Sequence, residues 1–295
     1  MDQMDQKNTR INTGTSVAPR RDGSAMPEAI ANAIAPQRPF DDKTFEELAS
    51  GYNFLETSDR RRVFARLIIK ECDRVRMERE AAGSSDPVRV LDVGCGRGIG
   101  REVDYTRAMR HHIDDFWGIE PDNTVTPEDG LFDHMQHALM ETADLPDDHF
   151  DVVYSFMVME HVADPDGYMS AVSRVLKPGG VHIFMTPNKK HYFTLTASIM
   201  HSMKIDELIL RLIKRSSKDE YHYPVQYKCN SKTQIDAIAS KTGFDKPTYA
   251  FLEADGPRGY FPGPTKILFY LLRKKRAVIR NPQVLLTLTA RMVKK

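Results

Sequence analysis

Acidic residues are missing from the last forty positions of this 295-residue chain; beyond Asp255 every charged side chain is a base. The totals hide this, because 42 Lys+Arg against 41 Asp+Glu leave a net charge of only +1. That balance excludes a polybasic nucleic-acid coat and an acidic solvating tail. Cysteine is scarce too. Cys72, Cys95 and Cys229 are odd in number and far apart, which suits neither a disulfide framework nor a CxxC zinc site and predicts a reducing compartment. No hydrophobic run approaches the roughly 20 residues of a membrane span; the longest runs only from Ile267 to Leu272. The amino terminus, with Asp2, Asp5 and Arg10, has no apolar h-region, so a cytoplasmic chain is expected. Internal repeats are absent. What is present, 41% hydrophobic and 9% aromatic residues, suffices for one large or two modest globular domains.

Residues 1–40 are small, polar and without period, and are expected to form a flexible tail. Phe45, Leu48, Tyr52 and Leu55 then recur at helical spacing. Phe64, Leu67, Ile68, Cys72 and Val75 make a second apolar stripe after Ser58 and Asp59 as candidate caps, so 41–86 reads as an N-terminal helical cap. Short apolar runs follow at Val88 to Val93, Phe116 to Ile119, Gln136 to Met140, Phe150 to Phe156 and Val181 to Met185. Helical stretches separate most of them, notably Pro165 to Leu176. Such alternation predicts a parallel sheet covered on both faces, because parallel neighbours need crossover connections. A helix near Thr233 to Thr242, a strand near Thr248 to Leu252, a helix from Thr265 to Leu272 and a strand at Val284 to Ala290 complete the pattern.

The informative segment is LDVGCGRGIG, Leu91 to Gly100. A strand ends in Asp92, and Gly94, Gly96 and Gly98 let the backbone turn tightly and approach a ligand where a side chain would collide. The dinucleotide spacing GxGxxG fails in both registers, since Ile99 and Arg101 stand where its last glycine belongs. About 20 residues further on, Glu120 closes the next strand, where a carboxylate accepts both hydroxyls of a bound ribose. Together these features point to a nucleoside ligand at the carboxyl edge of an open sheet; the alternative for Glu120 is a solvated residue at a strand end.

LDVGCGRG at Leu91 to Gly98, GIEPD at Gly118 to Asp122, ADLPDDHFDVVYS at Ala143 to Ser155, MEHVADP at Met159 to Pro165 and RVLKPGG at Arg174 to Gly180 occur in that order. In this the chain resembles class I S-adenosylmethionine-dependent methyltransferases, and most of all the small-molecule branch with the quinone-biosynthesis enzymes and many O-methyltransferases. The resemblance implies a Rossmann-like α/β fold with seven mostly parallel strands, the last antiparallel, and a methyltransferase domain over 87–295. It implies S-adenosylmethionine as cofactor, with no metal expected. It places Asp92 near the methionine end, Gly94, Gly96 and Gly98 beneath the cofactor, and Glu120 on the ribose. Pro121 and Met140 fall against the adenine faces, and Glu141 with Thr142 near the adenine amino group. The family commonly has Asp at the position of Glu141, and Asp144 competes for its role. Carbonyls near Ser155 and Phe156 would take the methionine ammonium. Cys95 lies within the loop as a small packing residue or, far less readily, a nucleophile.

Methyl transfer needs a base only if the acceptor must lose a proton. His161 in the MEHV motif is placed to take a hydroxyl proton or to hold its own loop; His191 and His222 are the further candidates. Segments leaving parallel strands begin at the edge where ligands bind, so 191–230 and 253–283 are expected to form lids over the acceptor. Tyr192, Tyr221, Tyr223, Arg258 and Tyr260 are the candidate substrate contacts, and they suit an apolar or aromatic small molecule. The basic stretch 265–280 would rest on an anionic membrane, hold a phosphorylated lipid-linked acceptor, or present a solvated face while its apolar side packs on the lid. Nucleic acid is not an expected partner: Ser155-Phe156-Met157-Val158 stands where base-modifying enzymes often carry Asn/Asp-Pro-Pro-aromatic. A non-catalytic cofactor-binding subunit would keep the same loop and Glu120.

Overall fold

The structure is a computed structural model, and it describes residues 26–54, 59–192, 224–253 and 266–295. One sheet is built from β1 (Asn53–Phe54), β2 (Arg89–Val93), β3 (Asp115–Ile119), β4 (His134–Gln136), β5 (Phe150–Phe156), β6 (Leu176–Pro187), β7 (Thr248–Glu253) and β8 (Thr287–Val293). Their order across the sheet is β1-β7-β8-β6-β5-β2-β3-β4. Every neighbour is parallel except β8, which runs antiparallel to both β6 and β7. This is a Rossmann-like α/β sheet whose order reverses at β2, with β5 on one side and β3 on the other. Ligand crevices open at such a switch point.

The described helices are α1 (Glu28–Ile34), α2 (Phe45–Ser50), α3 (Arg60–Ala81), α4 (Val103–Arg110), α5 (Pro165–Val175), α6 (Lys232–Ala239) and α7 (Lys266–Ile279). Strand alternation sends side chains to two separate cores. Leu91, Val93, Val153 and Phe184 pack with Tyr168, Met169 and Val172 of α5 and Ile235 of α6. Val90, Val152, Tyr154 and Ile183 pack on the other face with Phe64, Leu67 and Ile68 of α3 and Ala108 and Met109 of α4. Asp59 caps α3 by accepting the N–H of Arg61 at 2.9 Å.

The sheet has one strand more than the expected seven. The helix expected to continue to Leu55 stops at Ser50, and Asn53–Phe54 pairs with Leu252 and Glu253 instead. The Asn53 amide donates to the carbonyls of Leu48 and Phe251 at 2.6 and 3.1 Å, tying the end of α2 to β7. Leu55 lies outside the described residues. Within the stretch expected to be a tail, α1 is held by Arg62 and Arg66, which donate to the carbonyls of Ala33 and Ile34 at 2.9 and 2.8 Å. The last strand begins at Thr287 rather than Val284, because Pro282–Val284 forms a 3-10 turn. No helix among the described residues is long and apolar enough to cross a membrane.

Candidate active site

The loop after β2 is pinned by the neighbouring strand: the N–H groups of Gly94 and Cys95 both donate to the Ile119 carbonyl, at 2.8 and 3.1 Å. Gly94, Gly96 and Gly98 all have φ between 50° and 103°, a region that costs a residue with a Cβ. Gly94 also has no room for one, since a Cβ there would lie 2.5 Å from Val158 Cγ2. At Gly98 it would lie 3.0 Å from Thr106 Oγ1 and Val103 Cα, so α4 packs directly against the loop. Space remains beside Gly96, where the nearest atom to such a Cβ is Glu120 Oε2 at 3.9 Å.

Glu120 is buried and reaches back to this loop. One carboxylate oxygen accepts the N–H of Gly96 at 3.0 Å and the other that of Asp122 at 3.1 Å. Asp92 lies opposite Tyr154 in the β2–β5 register, and the Tyr154 hydroxyl donates to its carboxylate at 2.8 Å. Burial pushes the Asp92 carboxyl up to about 8; the Tyr154 hydrogen bond opposes this and the nearby Glu120 charge adds to it. A cation lodged beside Asp92 would pull it back toward the ionised form.

A cavity of about 310 Å³ opens along this edge. Gly94, Glu120 and Pro121 line one side of it, Met140 and Glu141 contribute from the segment after β4, and Phe156 and His161 from the segment after β5. Seven of the residues expected at the site thus meet in one cleft. Asp92, Cys95, Gly96, Gly98, Thr142 and Ser155 lie beside it without lining it. The Cys95 thiol is buried 3.7 Å from Met135 Sδ, and burial raises its pKa further, the reverse of an activated nucleophile. Between the two candidate acids, Glu141 lines the cavity, whereas Asp144 is clipped through its backbone to the Gln136 side chain at 2.7 and 3.0 Å.

Residues not anticipated also line the cleft, among them Ala138, Leu139, Met157, Val158 and Tyr168. Leu139 is 55% exposed although large and apolar, and Met157 has φ 59°. Leu139 belongs to the apolar run from Ala138 to Met140, which in the sequence reads as part of a strand, and no sequence signal marks Met157. The apolar walls, an open glycine loop and a carboxylate aimed at it are a chemistry that accommodates the adenosine of S-adenosylmethionine.

The candidate bases separate. The His161 ring lines the cavity, with Nδ1 3.4 Å from the Pro224 carbonyl. His191 is fully buried, its ring 4.3 Å from Tyr192 and its Nε2 3.7 Å from Glu253. Burial and the Arg276 charge hold its pKa down at about 3. Tyr192 lies under the Arg276 guanidinium at 4.6 Å, outside the lining of the cavity. His222, Tyr221, Tyr223, Arg258 and Tyr260 lie outside the described residues.

A buried acid next to His161 was also not anticipated. Glu160 accepts from Thr186 Oγ1 at 3.0 Å, Asn230 donates to the same hydroxyl at 2.5 Å, and the Glu160 carbonyl receives the N–H groups of Gln226 and Tyr227. Burial pushes its carboxyl up to about 7. This network joins the ends of β5 and β6 to the segment entering α6.

A family model described as "Methyltransferase domain" matches residues 40–246. A ubiquinone biosynthesis O-methyltransferase of Erwinia tasmaniensis is 33% identical over 135 residues, which cover 44% of this chain and 53% of that protein. The protein of the same name from Bordetella avium is 30% identical over 200 residues, covering 65% and 73%. The chain spans about half the length of several curated relatives it matches. A solved SAM-dependent methyltransferase from Archaeoglobus fulgidus is 18% identical with a TM-score of 0.43, covering 77% of this chain and 94% of that one. The family match extends over both the glycine loop and the cleft it borders, and the chain belongs to the class I S-adenosylmethionine-dependent methyltransferases.

Proposed function

We propose that the protein transfers a methyl group from S-adenosylmethionine to a hydroxyl oxygen of a small apolar or aromatic acceptor. The observation that carries this reading is the single cleft in which the glycine loop, Glu120 and His161 meet. When bound, S-adenosylmethionine supplies a methyl carbon already activated by positive sulfur. The chain's own contribution is to hold, orient and exclude water, which is the larger part of catalysis for such a displacement. Gly94, Gly96 and Gly98 leave the loop backbone bare for the cofactor. Glu120 accepts the ribose hydroxyls, Pro121 and Met140 sandwich the adenine, and Glu141 with Thr142 meets its amino group. Asp92 and the backbone at Ser155 and Phe156 face the methionine end. Cys95 packs the loop.

His161 is the group that takes the acceptor's proton, because it alone of the two described candidate histidines lines the cavity. His191, neutral and enclosed, holds the start of the segment after β6. We assign the acceptor side to the segments that leave β6 and β7 at the carboxyl edge of the sheet, 191–230 and 253–283, of which 193–223 and 254–265 lie outside the described residues. The names of the ubiquinone-biosynthesis relatives favour a phenolic or quinol acceptor, and a peripheral position on a membrane would suit one of low solubility. The test is incubation with methyl-labelled S-adenosylmethionine and a panel of phenols and catechols. Label in the organic extract supports the reading; label confined to added RNA or DNA would replace it.

A further inference from the structure

α7 is amphipathic with its faces reversed. Arg273 and Arg276, at i and i+3, share one helical face, on which Arg276 is buried and Arg273 half-buried; Arg280 follows just beyond the end of the helix, exposed and with φ 51°. Their guanidinium carbons lie over the rings of Phe54, Tyr192 and Tyr52 at 5.0, 4.6 and 5.4 Å. Arg276 also donates to Glu253 at 2.9 Å, and its backbone carbonyl accepts the Tyr52 hydroxyl at 2.7 Å. On the opposite face stand Ile267, Leu271, Lys274 and Val278, at i, i+4, i+7 and i+11. The three apolar members are 69%, 60% and 74% exposed. A water-soluble helix ordinarily buries its apolar stripe and exposes its arginines. Here the cation–π contacts and the Glu253 pair fix the helix in the other orientation.

We propose that this outer face of α7 docks on an anionic lipid surface. Ile267, Leu271 and Val278 enter the boundary between headgroups and acyl chains, while Lys274 and Lys275 meet the lipid phosphates. Charge complementarity selects this occupant: α7 carries no acidic residue, and Lys274 within the apolar stripe and Lys275 beside it are both exposed. Fourteen residues make a helix of about 21 Å, too short to span a bilayer and suited to lie in its interface. Lys274, within the stripe, reaches outward along its aliphatic stem. The contacts with Phe54 and Tyr192 place α7 beside the ends of β1 and β6, on the edge of the sheet where the cleft opens. A docked molecule would therefore turn that edge toward the bilayer. The inference goes beyond the proposed methyl transfer and is read without turnover.

The experiment is flotation of the full chain with vesicles of phosphatidylcholine alone, and with about a quarter of the lipid replaced by phosphatidylglycerol. Binding is expected to the anionic vesicles only, and to disappear at about 0.5 M salt. Leu271→Asp with Val278→Asp, and separately Lys274→Glu with Lys275→Glu, should each weaken it at least about tenfold. Because all four side chains project from the outer face, the melting temperature should not move. Equal binding to neutral vesicles, undiminished binding of either variant, or no flotation would overturn the proposal. A dimer in light scattering that the Asp variant dissolves, without flotation, would assign the face to a second copy instead.

Discussion

The Glu120 carboxylate accepts the backbone N–H of Gly96 at 3.0 Å, so the acid assigned to the ribose also shapes the glycine loop assigned to lie beneath the cofactor. Its other oxygen holds Asp122 at 3.1 Å. Removing the carboxylate therefore takes away a ligand contact and two loop anchors together. Glu120→Ala should lower the affinity for S-adenosylhomocysteine at least about tenfold and cost about 1–2 kcal/mol of stability. Glu120→Gln, which keeps one acceptor oxygen, should fall between Ala and the parent in a calorimetric titration.

Gly94→Ala is a steric test of the same cleft. The added carbon would sit 2.5 Å from Val158 Cγ2, on a backbone at φ 69°. The expected cost is about 1–3 kcal/mol in thermal unfolding, from the left-handed backbone and the clash. Cofactor binding should fall below detection. Normal affinity in this variant would place the ligand elsewhere.

The two candidate bases among the described residues, His161 and His191, should part in their mutant behaviour. His161→Ala removes a half-exposed ring from the cavity; its melting temperature should hold while the methyl-transfer rate drops on the order of 10²-fold. His191→Ala empties a fully buried site between Tyr192 and Glu253, and should lower the melting temperature by several degrees, corresponding to about 2 kcal/mol or more. Rates and melting curves on both proteins decide the assignment. The reverse pattern would exchange the roles of the two residues.

The glycine loop, the strand before it and Glu120 were legible because each depends on local chemistry: a backbone that only glycine tolerates and an acid at a strand end. Asn53–Phe54 was not. Two residues have no period, and their strand character comes wholly from pairing with Leu252 and Glu253, about 200 positions away. Glu160 carries no sequence signal, because its burial depends on Thr186 and Asn230 meeting it. For α7 the sequence showed two faces but not which one turns inward. Periodicity is silent on that choice, which is made by Phe54, Tyr192 and Tyr52.

Two buried carboxyls give stability a pH dependence with a definite sign. Asp92 and Glu160 are raised to about 8 and about 7 from ordinary values of 3.8 and 4.5. Their contribution is complete below the ordinary values and is lost as pH rises through the raised ones. His182 and His191, lowered to about 4 and about 3, act oppositely and lose theirs as pH falls below 6.5. The effects oppose each other between about pH 4.5 and 6.5, giving a plateau there. From pH 6.5 to 8 only the carboxyls contribute, and stability should decline by at most about 3 kcal/mol. Denaturant unfolding across that range checks it, and Asp92→Asn should flatten most of the decline.

Cofactor binding in the cleft beside Gly94, Glu120 and Met140 underlies the other assignments. Its most direct test is isothermal titration of the purified chain with S-adenosylhomocysteine. Saturable binding at one site per chain is expected, accompanied by a higher melting temperature. A titration without heat at several temperatures, together with an unmoved melting temperature, would contradict it.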